Sequence, residues 1–341
     1  MSATATPSVA TAPSASKAPR RRRISPETRT ALLYLTPAFI VMGVITFYPL
    51  IYQVWMSFTD FQLLNLSGKV APNLVGLDNY ARIFRSDLNI PNFDFLRLLF
   101  FNLVWALTNV TIHVVVGVAV ALVLNTPGLW FKRFYRAMFI LPVVIPPIIV
   151  AVVWRSIFDK DNGAVNMFLT GIGALFKIPP ETLKVDWLNQ VNDPIAFIPL
   201  PLAFFALLAA NSWLGWPLNA VVATGALQSV PPDLYEAAEM DGANGWNKFK
   251  TVTLPFLRPA MLPFAIYGFV VTFNLFFLSY FMTSGGPFGR TELFVTQAYK
   301  LVNDFQLYGV AAAFSVIMFF LLLVITLITN RLGKATASYA G

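Results

Sequence analysis

The stretch LLFFNLVWALTNVTIHVVVGVAVALVL, Leu98 to Leu124, contains no Asp, Glu, Lys or Arg. The ~30 Å hydrocarbon core of a bilayer asks about 20 such residues of a helix, so this stretch reads as a membrane span. Five others meet the same test, at about Ala31 to Phe58, Met138 to Trp154, Phe197 to Gln228, Ala260 to Phe281 and Gly309 to Ile328. The composition agrees, with 57% hydrophobic and 12% charged residues, where soluble domains carry roughly a quarter charged. The fold class is therefore an all-α integral membrane protein with six transmembrane helices. The fourth stretch is long and holds Pro199, Pro201, Gly215 and Pro217, which predicts a kink or a non-membrane turn within it.

Net charge is +8, and its distribution sets the topology. Six helices from a cytoplasmic start place segments 1 to 30, 125 to 137, 229 to 259 and 329 to 341 inside. Those segments hold 14 of the 24 Lys and Arg residues against 5 acids, and the outer segments hold 10 against 11. That asymmetry is what the positive-inside rule demands, so both termini are expected in the cytoplasm. The first 19 residues are rich in Ala, Ser, Thr and Pro without apolar periodicity and are expected to be disordered. The run Arg20 to Arg23 suits a topology anchor, or a patch for anionic lipid or nucleic acid. The apolar stretch after it far exceeds the 7–15 residues of a signal-peptide core, which argues against cleavage. The domain plan is a disordered basic tail at 1–29, a transmembrane domain at 30–330 and a short cytoplasmic tail at 331–341.

Chemistry is bounded by what is missing. There is no cysteine, which excludes disulfides, thiolate metal sites and cysteine nucleophiles. Carriers driven by ion gradients usually keep carboxylates or unwound coordinating segments within the membrane, yet none of the six stretches contains a charged residue. The single histidine, His113, suits a proton relay or a neutral hydrogen-bonding residue between helices. No G-x-x-x-x-G-K-[ST] loop is present to cradle a nucleotide, and no Ser/His/Asp or metal-ligand cluster is visible. The energy for transport is expected to come from another subunit, with no enzyme activity, cofactor or metal on this chain.

The loop SVPPDLYEAAEMDGANGWNKFKTVTLPFLRPA, residues 229 to 260, is patterned. Pro231 and Pro232 stop the preceding helix, and Ser229 or Asp233 can cap a new one through Leu234, Tyr235, Ala237, Ala238 and Met240. Asp241-Gly242 ends it, and a second amphipathic helix would place Trp246, Phe249, Val252 and Leu254 before Pro255. Such a helix-turn-helix serves either as a rigid knob for a partner groove or as an element lying on lipid headgroups.

This loop resembles the EAA signature of ABC importer permeases, EAA-x3-G-x9-I-x-LP. Glu236, Ala237, Ala238, Gly242, Leu254 and Pro255 match at the required spacings, with Val252 in place of the isoleucine. The resemblance runs from about residue 30 over most of the chain. It is carried also by VGLDNYARIF (75–84), FYRAMFILPVVIPPIIVAVVWRSIF (134–158), NSWLGWPLNAVVATGALQSVPPDLYEAAEMDGA (211–243), FLSYFMTSGGP (277–287) and YGVAAAFSVIMF (308–319). It is similar to the maltose-type sugar importers, in particular their larger, sugar-contacting permease subunit, although some of those add helices and a large periplasmic domain.

That resemblance implies a type I ABC importer permease (MetI-like) fold in a bacterial inner membrane. It implies a second, homologous permease, two cytoplasmic ATPase subunits that bind ATP and Mg, and an extracytoplasmic sugar-binding protein docking on segments 59–97, 155–196 and 282–308. The loop would be the coupling helix, with Tyr235, Glu236, Ala237, Ala238, Met240, Asp241 and Gly242 meeting the ATPase. Maltose, trehalose or a related oligosaccharide is the implied cargo. Asn211, Leu214 and Gly215 inherit a binding role, while Leu218 stands where the family has tyrosine, and Thr272 and Leu275 beside Asn274 replace a pair of asparagines.

The residues themselves suit sugar as well. Alternating-access transporters bind substrate near the midplane, where helices break. Asn211, Trp213, Leu214, Gly215 and Trp216 are expected to form such a break beside Pro217. An amide pairs with hydroxyls, and the rings of Trp213, Trp216, Phe277 and Tyr280, near Asn274, suit sugar C–H faces, although aromatic residues more often serve packing. The competing classes are a gradient-driven carrier acting alone and a membrane scaffold without transport. The first conflicts with the uncharged spans and the patterned loop, and the second leaves the polar midplane without a use. Apart from membrane lipids no further partner is implied, and no nucleic acid.

Overall fold

A computed structural model describes residues 26–195 and 198–333. The tail through Ser25, with the run Arg20 to Arg23, and most of the C-terminal segment lie outside these residues. The first helix begins at Pro26, so the last four residues of the expected tail are helical. Among the described residues there is no sheet, only an isolated bridge between Thr59 and Leu74.

Among the described residues five helices are long and apolar enough to cross a membrane: Pro26–Met56, Phe95–Asn125, Leu202–Gln228, the run Gly245–Thr283, and Tyr308–Arg331. The third expected span is instead a pair, Lys132–Val144 and Pro147–Ile157, bent by 96°. The chain divides into two units, residues 1–52 and 53–341. In the first, the helix from Pro26 carries no buried residue and passes through a π turn at Gly43–Phe47.

Prolines explain where helices continue and where they stop. Single prolines are carried inside helices at Pro142, Pro217, Pro259 and Pro263. The three tandem prolines each begin a new helix. Pro146, Pro179 and Pro231 sit at the N-cap with ψ of 132°, 133° and 132°, because a residue before proline is pushed out of the α region. The second proline then takes the first helical position, where its missing N–H costs nothing. The fourth span is one helix from Leu202 to Gln228 that continues through Pro217, so the break expected at Asn211 to Trp216 is absent, while Pro199 and Pro201 lie in a non-helical segment before its start. Neighbouring helices make a lone proline tolerable inside a membrane span.

The fifth span differs from expectation at both ends. Its helix is continuous from Gly245 through a π turn at Phe249–Thr253 into Leu254–Phe273, rather than starting at Ala260. The wide turn, in which the Leu254 N–H bonds to the Phe249 carbonyl, makes room for the Pro255 ring, which an α turn would drive into a carbonyl. The helix then breaks at Asn274–Leu275 and resumes at Phe276–Thr283. The broken end is held by the second span: buried Asn102 donates to the Phe273 carbonyl at 3.2 Å and buried Trp105 to the Thr272 carbonyl at 3.2 Å. Asn102 Oδ1 accepts from the Phe294 N–H at 2.7 Å, which seats the helix Phe294–Asn303 against the same point.

The second and fourth spans form the central pair. A Cβ on Gly117 would lie 2.5 Å from Asn219 Cβ and 2.9 Å from the Ala220 nitrogen, so the backbones touch there, as small residues allow between membrane helices. Ala121, Ala223, Leu227, Leu257 and Met261 continue the contact with the fifth span. Phe101, Trp105, Phe204 and Leu207 fill it at the other end, with Val150 and Leu278 from the flanking helices. The loop after Ile157 folds around buried Asn166, whose amide serves Lys160, Val185 and Trp187.

Gly117→Ala should cost about 1–3 kcal/mol through overpacking and lower the melting temperature of the detergent-solubilised protein. Gly225→Ala in the partner span meets open space, and an equal loss from both variants would refute the close crossing.

Candidate functional site

Four residues of the second and fourth spans form a buried polar ladder. Asn211 Nδ2 donates to Asn109 Oδ1 at 2.8 Å, and Asn109 Nδ2 donates to the Trp105 carbonyl at 2.8 Å. His113 Nε2 lies 2.9 Å from the Asn211 carbonyl. A carbonyl only accepts, so this nitrogen carries the proton. The imidazole rests on Gly215, where a Cβ would come within 2.1 Å of Cε1. Asn219 Nδ2 then donates to the Gly215 carbonyl at 3.1 Å. Of the two openings left by the sequence, His113 occupies the one between helices, bonded to backbone.

The expected substrate residues divide by face. Asn211 and Gly215 turn toward the second span, and the Asn211 side chain is buried with its amide nitrogen bonded to Asn109. Trp213 and Leu214 are partly buried against the cluster that holds Phe204 and Leu278, with Trp213 6.4 Å from Trp154. Trp216 packs edge-on to Phe139 at 5.2 Å. Leu218 is 45% exposed. Asn274, at the break in the fifth span, donates to the Val270 carbonyl at 2.9 Å. Beyond it, Phe277 is 45% exposed, and Tyr280 stacks on Phe276 at 4.9 Å and meets Tyr299 at 5.1 Å. Trp213 and Leu214 border an apolar cluster to which Leu275, Leu278 and Phe281 also contribute.

The loop after the fourth span folds as expected into a helix, Pro232–Met240, with no buried residue. Neither Ser229 nor Asp233 caps it: the Ser229 hydroxyl bonds back to the Ala226 carbonyl at 2.7 Å. Asp233 does lie in the first turn, where a negative charge suits the helix dipole. Glu236, Ala237, Asp241 and Gly242 are exposed, Tyr235 and Ala238 partly so, and Met240 is 89% exposed. Gly242, at φ +77°, closes the turn that only glycine enters without cost. Glu239, paired with Lys248, is held below the usual carboxylate range by that hydrogen bond and charge.

With this geometry, residues 113–338 match the family described as the binding-protein-dependent transport system inner membrane component. The chain belongs to this family. In sequence it is similar to the galactooligosaccharides transport system permease protein GanP of Bacillus subtilis, 32% identical over 83% of this chain and 65% of GanP. The maltodextrin permease protein MalC of Streptococcus pneumoniae is 29% identical over 88% and 68%. The maltose/maltodextrin permease protein MalF of Salmonella typhimurium is 30% identical over 76% and 51%. The chain thus spans between about half and two thirds of the length of these relatives. In fold it is similar to a chain of a bacterial alginate ABC transporter solved with an alginate pentasaccharide-bound periplasmic protein. The TM-score is 0.71 at 21% identity, covering 91% of this chain and 96% of that one. The permease fold expected from the loop signature is the fold observed.

Asn102, Trp105 and Asn109 escaped the sequence reading. Their signal was present: amides at 102 and 109 and the imidazole at 113 recur on one helical face of an apolar span, where a polar group without a partner is costly.

Gly215→Ala should clash with the imidazole and cost about 1–3 kcal/mol, read as lost thermal stability in detergent. Adding His113→Ala should recover most of that loss, and a double variant worse than either single one would show that the ring does not sit on Gly215.

Proposed function

We propose that this family member is a non-catalytic permease subunit of an ATP-driven, binding-protein-dependent importer of oligosaccharides. The observation that carries the reading is the Pro232–Met240 helix, which stands clear of the packed spans and presents Glu236, Ala237 and Ala238 in the spacing of the EAA signature. An exposed short helix with two small residues and a carboxylate fits a groove in a soluble partner, here the ATPase. The helix is on the cytoplasmic side in the topology that charge asymmetry supports, with both termini inside. The ATPase subunits bind ATP and Mg, a second permease completes the path, and an extracytoplasmic sugar-binding protein delivers cargo. The relatives' names point to maltodextrins and galactooligosaccharides as the substrate class, and trehalose, a glucose disaccharide of different linkage, is a further candidate.

For the path itself, we place sugar against Trp213, Leu214, Trp216 and Leu218 of the fourth span and Asn274, Phe277 and Tyr280 beyond the break in the fifth. Ring faces take sugar C–H surfaces, and the exposure of Leu218 and Phe277 leaves room beside them. Asn211 and Gly215 shape the wall behind. Asn211 donates its amide to Asn109 and supports the path from behind rather than lining it.

A gradient-driven carrier acting alone is the competing class. Uptake by liposomes holding this chain without partners, driven by an ion gradient and indifferent to ATP, would establish it. The importer reading expects accumulation only with ATPase, second permease, receptor protein and internal ATP together. Within it, Glu236→Lys should reduce both ATPase co-purification and uptake at least tenfold. Wild-type levels of both would remove Glu236 from the interface.

A further inference from the structure

The Pro232–Met240 helix is tied unequally to the two spans it connects. On the side of the fourth span the backbone ladder stops at the proline pair, since neither Pro231 nor Pro232 has an N–H to give. The last bond before it runs from Val230 N to the Leu227 carbonyl, and the next from Leu234 N to the Pro231 carbonyl. On the side of the fifth span the ties accumulate. Asp241, Gly242 and Ala243 nitrogens bond back to Ala237, Glu239 and Ala238 carbonyls at 2.9–3.0 Å. Asn244 caps the next turn through its bond from Asn247 N, and from Gly245 that helix is continuous into the membrane.

Two side-chain links span the turn. The Glu239–Lys248 pair is exposed, 62% on the glutamate, and solvent and salt weaken such pairs to little. The other joins the Tyr235 hydroxyl to Thr253 Oγ1 at 3.0 Å. Thr253 is 4% exposed and ends the π turn Phe249–Thr253, the one place where this helix is wound differently and where helices commonly bend. A sheltered bond therefore runs from the exposed helix to the soft point of the fifth span.

We propose that the Tyr235–Thr253 hydrogen bond is the strut that carries displacement of the exposed helix into the fifth span, with Thr253 as a positioning residue acting through Tyr235. The inference rests on the coupling role given to that helix above. Movement imposed by the ATPase pivots at the proline pair and is delivered to the π turn, so the fifth span is driven and the fourth stays anchored to the second.

The test uses the complete importer in proteoliposomes, with whichever of maltotriose, galactobiose and trehalose the wild type accumulates. Thr253→Val keeps the shape and removes the hydroxyl. ATP hydrolysis should stay within twofold of wild type while sugar moved per ATP falls at least fivefold, and Thr253→Ser should restore the ratio. Adding Tyr235→Phe to Thr253→Val should lower the ratio no further, because both remove one bond. A wild-type ratio in Thr253→Val, or a double variant whose loss is the product of the two single losses, overturns the strut. Glu236→Lys separates the two ideas: if it blocks ATPase association while Thr253→Val transports normally, the coupling helix stands and the strut falls. If Glu236→Lys associates normally, both fall.

Discussion

Within hydrocarbon a peptide group has no water to turn to, so every interrupted helix must be answered by another part of the protein. The fifth span stops at Phe273, and the second span supplies the answer through the Asn102 amide and the Trp105 indole. Leaving a buried carbonyl unanswered costs about 1–3 kcal/mol, comparable with the whole effect of a typical core substitution. The break and its cap therefore belong together. Because Asn102 also takes the Phe294 N–H, the same side chain fixes where the connection to the last span returns. Phe273, Phe294 and Phe314 pack around it. The second span is central because it carries the groups that permit its neighbours to be irregular.

Most of the architecture was open to a reader of the sequence, and the proline pairs show where the reading fell short. Uncharged length locates the spans, since hydrocarbon tolerates little else. Pro146-Pro147 lies inside one such stretch, and length alone runs straight through it, where the backbone turns by 96°. The difference between one proline and two is cumulative: a lone ring removes one hydrogen bond and its helix continues, whereas a pair removes two successive N–H groups and its first member stands extended. Pro217, the more conspicuous warning, does not interrupt its helix. The break at Asn274–Leu275 has no proline at all, and only its tertiary cap explains it.

The candidate site was legible in uneven measure. The loop helix is a local object, set by Pro231-Pro232 before it and Gly242 after it, and its signature spacing could be read off directly. The residues facing a path could not, because which side of a span is occupied depends on what lies beside it. Asn211 illustrates the difficulty. From the sequence it is an amide at midplane available to a hydroxyl, and in the fold it is the partner of Asn109. Neither residue alone reveals the other, 102 positions away.

That separation has a further meaning. Asn109 meets Asn211, His113 sits on Gly215 and Gly117 abuts Asn219, and each pair is offset by the same 102 residues. The two helices run parallel and mesh like toothed racks, one tooth per turn, with an amide, an imidazole and a bare glycine as successive teeth. Racks cut this way do not slide by fractions of a turn. A shift small enough to keep the helices in contact would set the imidazole against Leu214 or Trp216 and the glycine against a side chain with no gap to receive it. The pair has a single index position, and a molecule built around it can change shape only by moving its other parts past that fixed spine.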